Sequence, residues 1–455
     1  MAVRTNIIKE LEEQYSQEKN KLVVFYGSEG SCKFDLIKEF VGDKKFFYYR
    51  ARQASELEQR TLMGNEIAKK YRVKLTKGTY DEYFTRIKSG DASKLVVVID
   101  EFQYIAKKKD SKILDSIIKL KNRKLYPGPV MIILCCSSIL WAEQDMEECF
   151  GETNYKKIDK IIKVDNLEFL DIVRMFPKYS VKECIQYYGI LGGVYKYTKL
   201  WNQELSVKQN ICNLVLDKKG ELFTEVEKLI SYELRELSVY NTIVYHIANG
   251  KNKLNDIYIA TSYSRPKISV YMKNLSQFDI LEKVVSFETG GWQNAKKGVY
   301  RIKDTFINFW YKFVFPHMSD LYIMEPDVFY DTYIEPELDE YLERYFRNVC
   351  MEYLKLLDQI GKLPFKIHKI GTWVGKTGTI DIIAQSSNRV NIVGMCNWNK
   401  EFITTEMVQN LFVLMEKAKI YSEHVYCFSA KGFSKQLIEL SEQDGRIILI
   451  DMNEL

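Results

Sequence analysis

Residues 25–40 read FYGSEGSCKFDLIKEF, and the fold turns on whether this stretch is a phosphate-binding loop. An apolar run from Lys21 to Tyr26 enters a turn of small residues and leaves as an amphipathic helix, the strand, loop and helix context that such a loop requires. The P-loop motif calls for Gly, four residues, then Gly, Lys and Ser or Thr. That alignment gives Gly27, Cys32, Lys33 and Phe34, with Gly30 and Ser31 inside the loop. Gly27 and Lys33 are in place, and two positions depart. Cys32 puts a side chain where backbone must wrap closely round phosphate and where a positive φ is expected. Phe34 has no oxygen for the Mg²⁺ that the usual hydroxyl ligates. Lys33 and the amides at the helix start keep the means to hold phosphate. The stretch therefore supports ATP or ADP binding better than metal-dependent hydrolysis, and Mg²⁺ is only weakly supported.

Residues 94–104, KLVVVIDEFQY, are a continuous apolar run that ends in adjacent carboxylates. Such a run suits a parallel strand buried on both faces. At the C-terminal end of that strand Asp100 is placed to hold a metal's hydration shell, and Glu101 to orient or activate water. A further strand, GPVMIILCCSS over 128–138, ends in Ser137 and Ser138. These hydroxyls read equally as sensors of the terminal phosphate or as an ordinary turn. Between the two strands, residues 107–124 carry eight Lys or Arg against two Asp. A solvated helix face explains that run, with contact to nucleic acid or an acidic partner as the alternative.

Length and composition bound the rest. A chain of 455 residues suggests about three domains. A formal charge of +5 is small for that length and gives no whole-chain argument for nucleic acid. The N-terminus lacks a signal-peptide apolar core, and the longest nearly apolar run, VMIILCCSSILWA, falls short of the roughly 18 residues of a membrane span. These features lead to the expectation of a cytoplasmic protein with no membrane partner. Nine Cys form no C-x-x-C pair, and the four His are scattered without zinc-ligand spacing.

Taken together, FYGSEGSCKFDLIKEF, VVVIDEFQYI and YGILGGVYKY (188–197) resemble the archaeal-type P-loop ATPase family, a branch of the AAA+ and STAND grouping. The resemblance continues through residues 219–250 and through YRIKDTFINFWYKFVFP (300–316), and it covers nearly the whole chain. It implies an α/β fold: a parallel-sheet ATPase core at 1–164, a helical lid and connector at 165–235, a winged helix-turn-helix at 236–318, and a restriction-endonuclease-like domain at 319–455. The family pattern also places an Arg near 152–160, where this chain has Lys156 and Lys157. An ammonium does not reproduce a planar guanidinium.

The winged helix also follows from the residues themselves. SVYNTIVYHIANG, KLNDIYIATSY and SRPKISVYMKNLSQFDIL read as three helices, the third opened by Pro266. ILEKVVSF and GVYRIKD read as two strands of a hairpin. Either the module binds DNA, with Arg265, Lys267 and Lys273 on its recognition helix and Lys296 and Lys297 on its wing, or it is a packing and signal-relay domain.

In the last third, the order of helix and strands resembles a nuclease whose metal is held by a Glu on the first helix, an Asp on a strand and the Glu of a Glu-x-Lys pair. Asp381 is kept, but Phe346 and Arg347 stand where the helix acid is expected, and Met395 to Trp398 read Met-Cys-Asn-Trp. Loss of those acids implies a binding platform without nuclease activity. Glu343 or Glu352, one or so helical turns from Arg347, could reach inward instead, and Trp373 and Trp398 are either surface contacts or core residues.

Overall fold

A computed structural model describes residues 2–75, 78–87, 93–106, 111–122, 127–234, 236–287, 298–375, 378–399 and 402–455. The chain forms two compact units, Met1–Asn166 with Val194–Lys196, and Leu167–Gly193 with Tyr197–Leu455.

The first unit is a parallel α/β sheet. Its strands are β1 (Lys21–Tyr26), β2 (Phe46–Arg50), β3 (Leu95–Asp100), β4 (Val130–Cys136) and β5 (Lys160–Lys163), in the order β2-β3-β4-β1-β5. Every residue of β1 and β4 is buried, as continuous apolar runs require when helices cover both faces. Along β1, Leu22, Val24 and Tyr26 enter one core with Met63, Ile67, Phe84 and Ile113, while Val23 and Phe25 enter the other with Leu11, Leu36 and Phe40. The Lys33–Val41 helix belongs to that second layer and buries Leu36, Ile37 and Phe40. The strand order inserts β4, which ends beside Ser137, between β1 and the acid-bearing β3.

Of the basic run, Lys112, Lys119 and Lys121 lie among the described residues; Lys112 and Lys119 are exposed and Lys121 is half-buried. Ile113, Leu114, Ile117 and Leu120 of the Lys112–Asn122 helix are buried, while Lys119 pairs with Asp81 and Lys121 with Asp159. Residues 107–110 and 123–126 of that run lie outside the described residues.

The second unit begins with helices that include Val181–Leu191. Three more follow at Leu237–Ala248, Leu254–Thr261 and Arg265–Gln277, and then an antiparallel hairpin of β6 (Leu281–Val284) and β7 (Val299–Ile302). The expected wing tip with Lys296 and Lys297 lies outside the described residues. Asp304 starts the aromatic segment by accepting the Ile307 amide at 2.8 Å, and Phe306, Phe309, Trp310, Tyr311 and Phe313 are all buried.

The C-terminal sheet has the order β12-β11-β10-β9-β8, from β8 (Lys369–Val374), β9 (Thr379–Gln385), β10 (Asn391–Asn397), β11 (His424–Ser429) and β12 (Ile447–Asp451). It is antiparallel at the β8 side and parallel from β10 to β12. The 25-residue Glu335–Gln359 helix packs beside β9 and β10. Trp373 and Trp398 are both buried, as core residues. No helix among the described residues is long and apolar enough to cross a membrane.

Candidate nucleotide site

The loop that follows β1 is held at both ends. The Gly27 amide donates to the Cys136 carbonyl at 3.2 Å, and a Cβ on Gly27 would lie 2.4 Å from the Val164 carbonyl oxygen. The positive φ of the loop falls on Gly30, at 79°, whose carbonyl accepts the Lys196 amide at 2.9 Å. Cys32 corrects the expectation from the motif. It adopts φ −74° and ψ 19°, needs no glycine-like conformation, and buries its side chain in the core with Leu36 and Val23.

Lys33 opens the helix with its ammonium drawn back into the loop. Its Nζ donates to the carbonyls of Gly27 (2.9 Å) and Ser28 (2.6 Å) and to Ser31 Oγ (3.0 Å). Ser31 is thus a partner of the lysine and does not replace the missing hydroxyl after it. Burial lowers the Lys33 pKa, against the opposing pull of Glu101 and Asp100. Those two acids therefore lie within electrostatic reach of the ammonium. Phe34 is 57% exposed, and its ring meets Tyr48 edge-on at 6.0 Å.

At the end of β3, both acids are engaged by donors from the protein. Tyr48 donates its hydroxyl to Asp100 Oδ2 at 2.6 Å, and the Glu101 amide donates to Asp100 Oδ1 at 3.0 Å. Burial and this carboxylate partner push the Tyr48 hydroxyl far above its ordinary pKa. Glu101 takes the left-handed conformation, φ 54° and ψ 42°, and is buried. Its Oε1 accepts Ser137 Oγ at 2.9 Å and Arg50 Nη2 at 3.3 Å, and its Oε2 accepts Gln103 Nε2 at 2.7 Å. Ser137 thus joins the acids, and the chain places Tyr48, Arg50 and Gln103 there as well, which the motifs did not single out. Tyr48 and Arg50 both come from β2, FFYYR. Lys156 and Lys157 have their own partners, Glu152 Oε1 at 2.5 Å and Asn154 Oδ1 at 2.9 Å.

In the other unit, Arg265 and Lys267 lie over aromatic rings. The Arg265 guanidinium is 4.9 Å from the Tyr258 ring and donates to Asn255 Oδ1 at 2.9 Å. Lys267 lies 4.7 Å from the Tyr263 ring, and Lys273 is exposed. At the C-terminal sheet, Arg347 Nη2 meets Asp381 Oδ1 at 2.8 Å, and the Cys396 amide donates to Asp381 Oδ2 at 3.0 Å. Glu343 accepts Asn399 at 3.4 Å. Glu352 turns elsewhere and accepts the Phe169 amide and the Tyr188 hydroxyl, each at 2.7 Å. It does not serve as the inward-reaching acid.

A parallel sheet with a glycine loop and lysine at the end of β1, and paired acids at the end of β3, defines a P-loop ATPase-like domain. Residues 2–198 match the family described as an ATPase domain predominantly from Archaea. Residues 310–410 match a second family, described as archaeal and bacterial proteins of unknown function. An uncharacterized protein of Methanocaldococcus jannaschii is 27% identical over 391 residues, 85% of this chain and 84% of its own length. Among solved structures, the Walker-type ATPase of Pyrococcus abyssi is 17% identical, with a TM-score of 0.46 over 68% of this chain and 95% of its own. The Aeropyrum pernix ORC2 protein in ADPNP and ADP complexes is 12% identical, with a TM-score of 0.45 over 67% of this chain and 91% of its own.

Proposed function

We propose that the protein is an AAA+/STAND-like switch that binds ATP or ADP and hydrolyses it weakly or not at all. Nucleotide occupancy would be coupled to a winged helix and to an inactive nuclease-like binding domain. The observation that carries this reading is Lys33 Nζ, gathered by Gly27, Ser28 and Ser31 at the mouth of the loop. A phosphate arriving there exchanges neutral carbonyl partners for a charged one, which a desolvated ammonium favours. Gly27, Gly30, Ser31 and Cys32 shape the loop, Phe34 follows Lys33 in the first turn of the helix, and Asp100 and Glu101 form the acidic wall. Glu101 is the residue that would act on water if any turnover occurs.

Calorimetric titration with ATP and with ADP tests it. Binding to the wild-type protein is expected, with a loss of roughly 10–100-fold in Lys33→Ala, the worth of a charged hydrogen bond. No binding, or equal binding by both proteins, would overturn the reading. Turnover above background that Glu101→Gln abolishes would restore a working ATPase.

A nucleotide-independent scaffold is the second reading, favoured by the fact that Lys33 already has three oxygen partners within its own loop. In its DNA-binding form, Arg265, Lys267 and Lys273 meet the phosphate backbone. A DNA mobility shift that weakens with salt, and is lost in Arg265→Ala with Lys267→Ala, is then expected. Absence of any shift at low salt would remove this form.

A further inference from the structure

A divalent cation in this class of site supplies positive charge between the acid that ends β3 and the phosphates, and takes a hydroxyl ligand from the residue after the loop lysine. The residues here do not fit such an ion. Phe34 stands at the hydroxyl's position with its ring against Tyr48. Tyr48 holds Asp100 Oδ2 at 2.6 Å, and the Glu101 amide holds Asp100 Oδ1 at 3.0 Å. A cation is also already present, because Arg50 Nη2 lies 3.3 Å from Glu101 Oε1 and Arg50 Nε lies 3.9 Å from Asp100 Oδ2.

Arg50 is the last residue of β2, paired in register with Asp100, so it is at the C-terminal edge of the sheet where ligands of parallel sheets bind. Its side chain is 64% exposed. Of the five N–H donors of a guanidinium, one reaches Glu101 within hydrogen-bond distance, and the exposed face is suited to phosphate oxygens.

We infer that Arg50 takes the place of the metal, so that this P-loop accepts a nucleotide polyphosphate without a divalent cation, between Lys33 and the Arg50 guanidinium, while Tyr48 and Phe34 close the metal position. This inference rests on the reading of the Lys33 loop as a nucleotide site, and it adds to that reading the ionic form of the ligand and a further binding residue.

The experiment is titration of the full chain with ATP, once in EDTA and once in excess Mg²⁺. Wild type is expected to bind with affinities that agree within about threefold. Arg50→Ala is expected to lose about tenfold or more in EDTA, and Arg50→Lys to recover part of it. The double variant Phe34→Thr with Tyr48→Phe, which restores the hydroxyl and frees Asp100, is expected to gain affinity when Mg²⁺ is added. A tenfold or larger gain from Mg²⁺ in the wild type, or an unchanged affinity in Arg50→Ala, overturns the metal-free site and leaves nucleotide binding standing. No binding under either condition overturns the nucleotide reading as well.

Discussion

Arg347→Met is expected to destabilise the fold around the C-terminal sheet by about 3 kcal/mol at neutral pH, the low end for breaking a buried ion pair. The lower end applies because Asp381 keeps 20% and Arg347 25% of its side-chain surface exposed. Burial already pushes the Asp381 carboxyl above its ordinary 3.8, and Arg347 is the largest influence that pulls it back down. Without the guanidinium the folded-state pKa rises further, while the unfolded-state value stays put. Between those two values the folded state binds more protons than the unfolded chain, so stability falls as pH rises through the window. The deficit of the variant is therefore greatest above the raised folded-state pKa and shrinks as pH is lowered toward the ordinary carboxylate range. Adding Asp381→Asn should recover most of the loss, because the neutral amide oxygen still accepts the Cys396 amide and no charge is left uncompensated. Calorimetric unfolding at several pH values reads the cycle. A deficit that does not vary with pH, or that the double variant does not relieve, would mean that Arg347 acts through packing and not through its charge.

The same pair shows what the sequence makes legible at that sheet. The resemblance leads to the expectation of an acid where Arg347 stands, and the structure pairs that Arg347 with Asp381. Glu352 shows the limit of that reading. Five positions along a helix turn a side chain by about 140°, so Glu352 faces away from Arg347, whereas Glu343, four positions back, shares its face. Of these two, Glu343 approaches the β10 end, through Asn399, where Asp339 also accepts Trp398 Nε1 at 3.1 Å. Glu352 instead serves the Phe169 amide and Tyr188.

In the ATPase-like unit, β1, β3 and β4 are legible because apolar runs without alternation have one economical home, a parallel strand covered on both faces. The loop is legible too, although its geometry is not where the motif puts it. Gly30 carries the positive φ that the motif suggests for Cys32, so the cysteine is tolerated as a small core residue. Tyr48 and Arg50 are hidden for a different reason. They reach the acids through the pairing of β2 with β3, Tyr48 with Val98 and Arg50 with Asp100, a contact across about 50 residues of chain that no local pattern announces.

Gly193→Ala is expected to be among the most damaging single substitutions in the chain, at about 3–4 kcal/mol, from overpacking plus a lost hydrogen bond. A Cβ there would lie 1.9 Å from the Leu167 carbonyl oxygen and within 3 Å of the Leu167 C and N atoms. These are backbone atoms, so no rotamer change relieves the clash. The two segments are also tied, since the Leu167 amide donates to the Gly193 carbonyl at 2.8 Å, and moving apart breaks that bond. Gly192 beside it meets a different demand, with φ 67° closing the Val181–Leu191 helix through its amide to Tyr188. The adjacent glycines thus answer two separate constraints, one of conformation and one of space. Gly361→Ala provides the control: its φ is also 67°, but nothing lies within 4 Å of the added carbon, so only the left-handed strain of about 1–2 kcal/mol applies. Denaturant midpoints for the two variants separate space from conformation. If Gly193→Ala costs no more than Gly361→Ala, the close approach of Leu167 is not a constraint on the fold, and the Gly-Gly turn is explained by Gly192 alone.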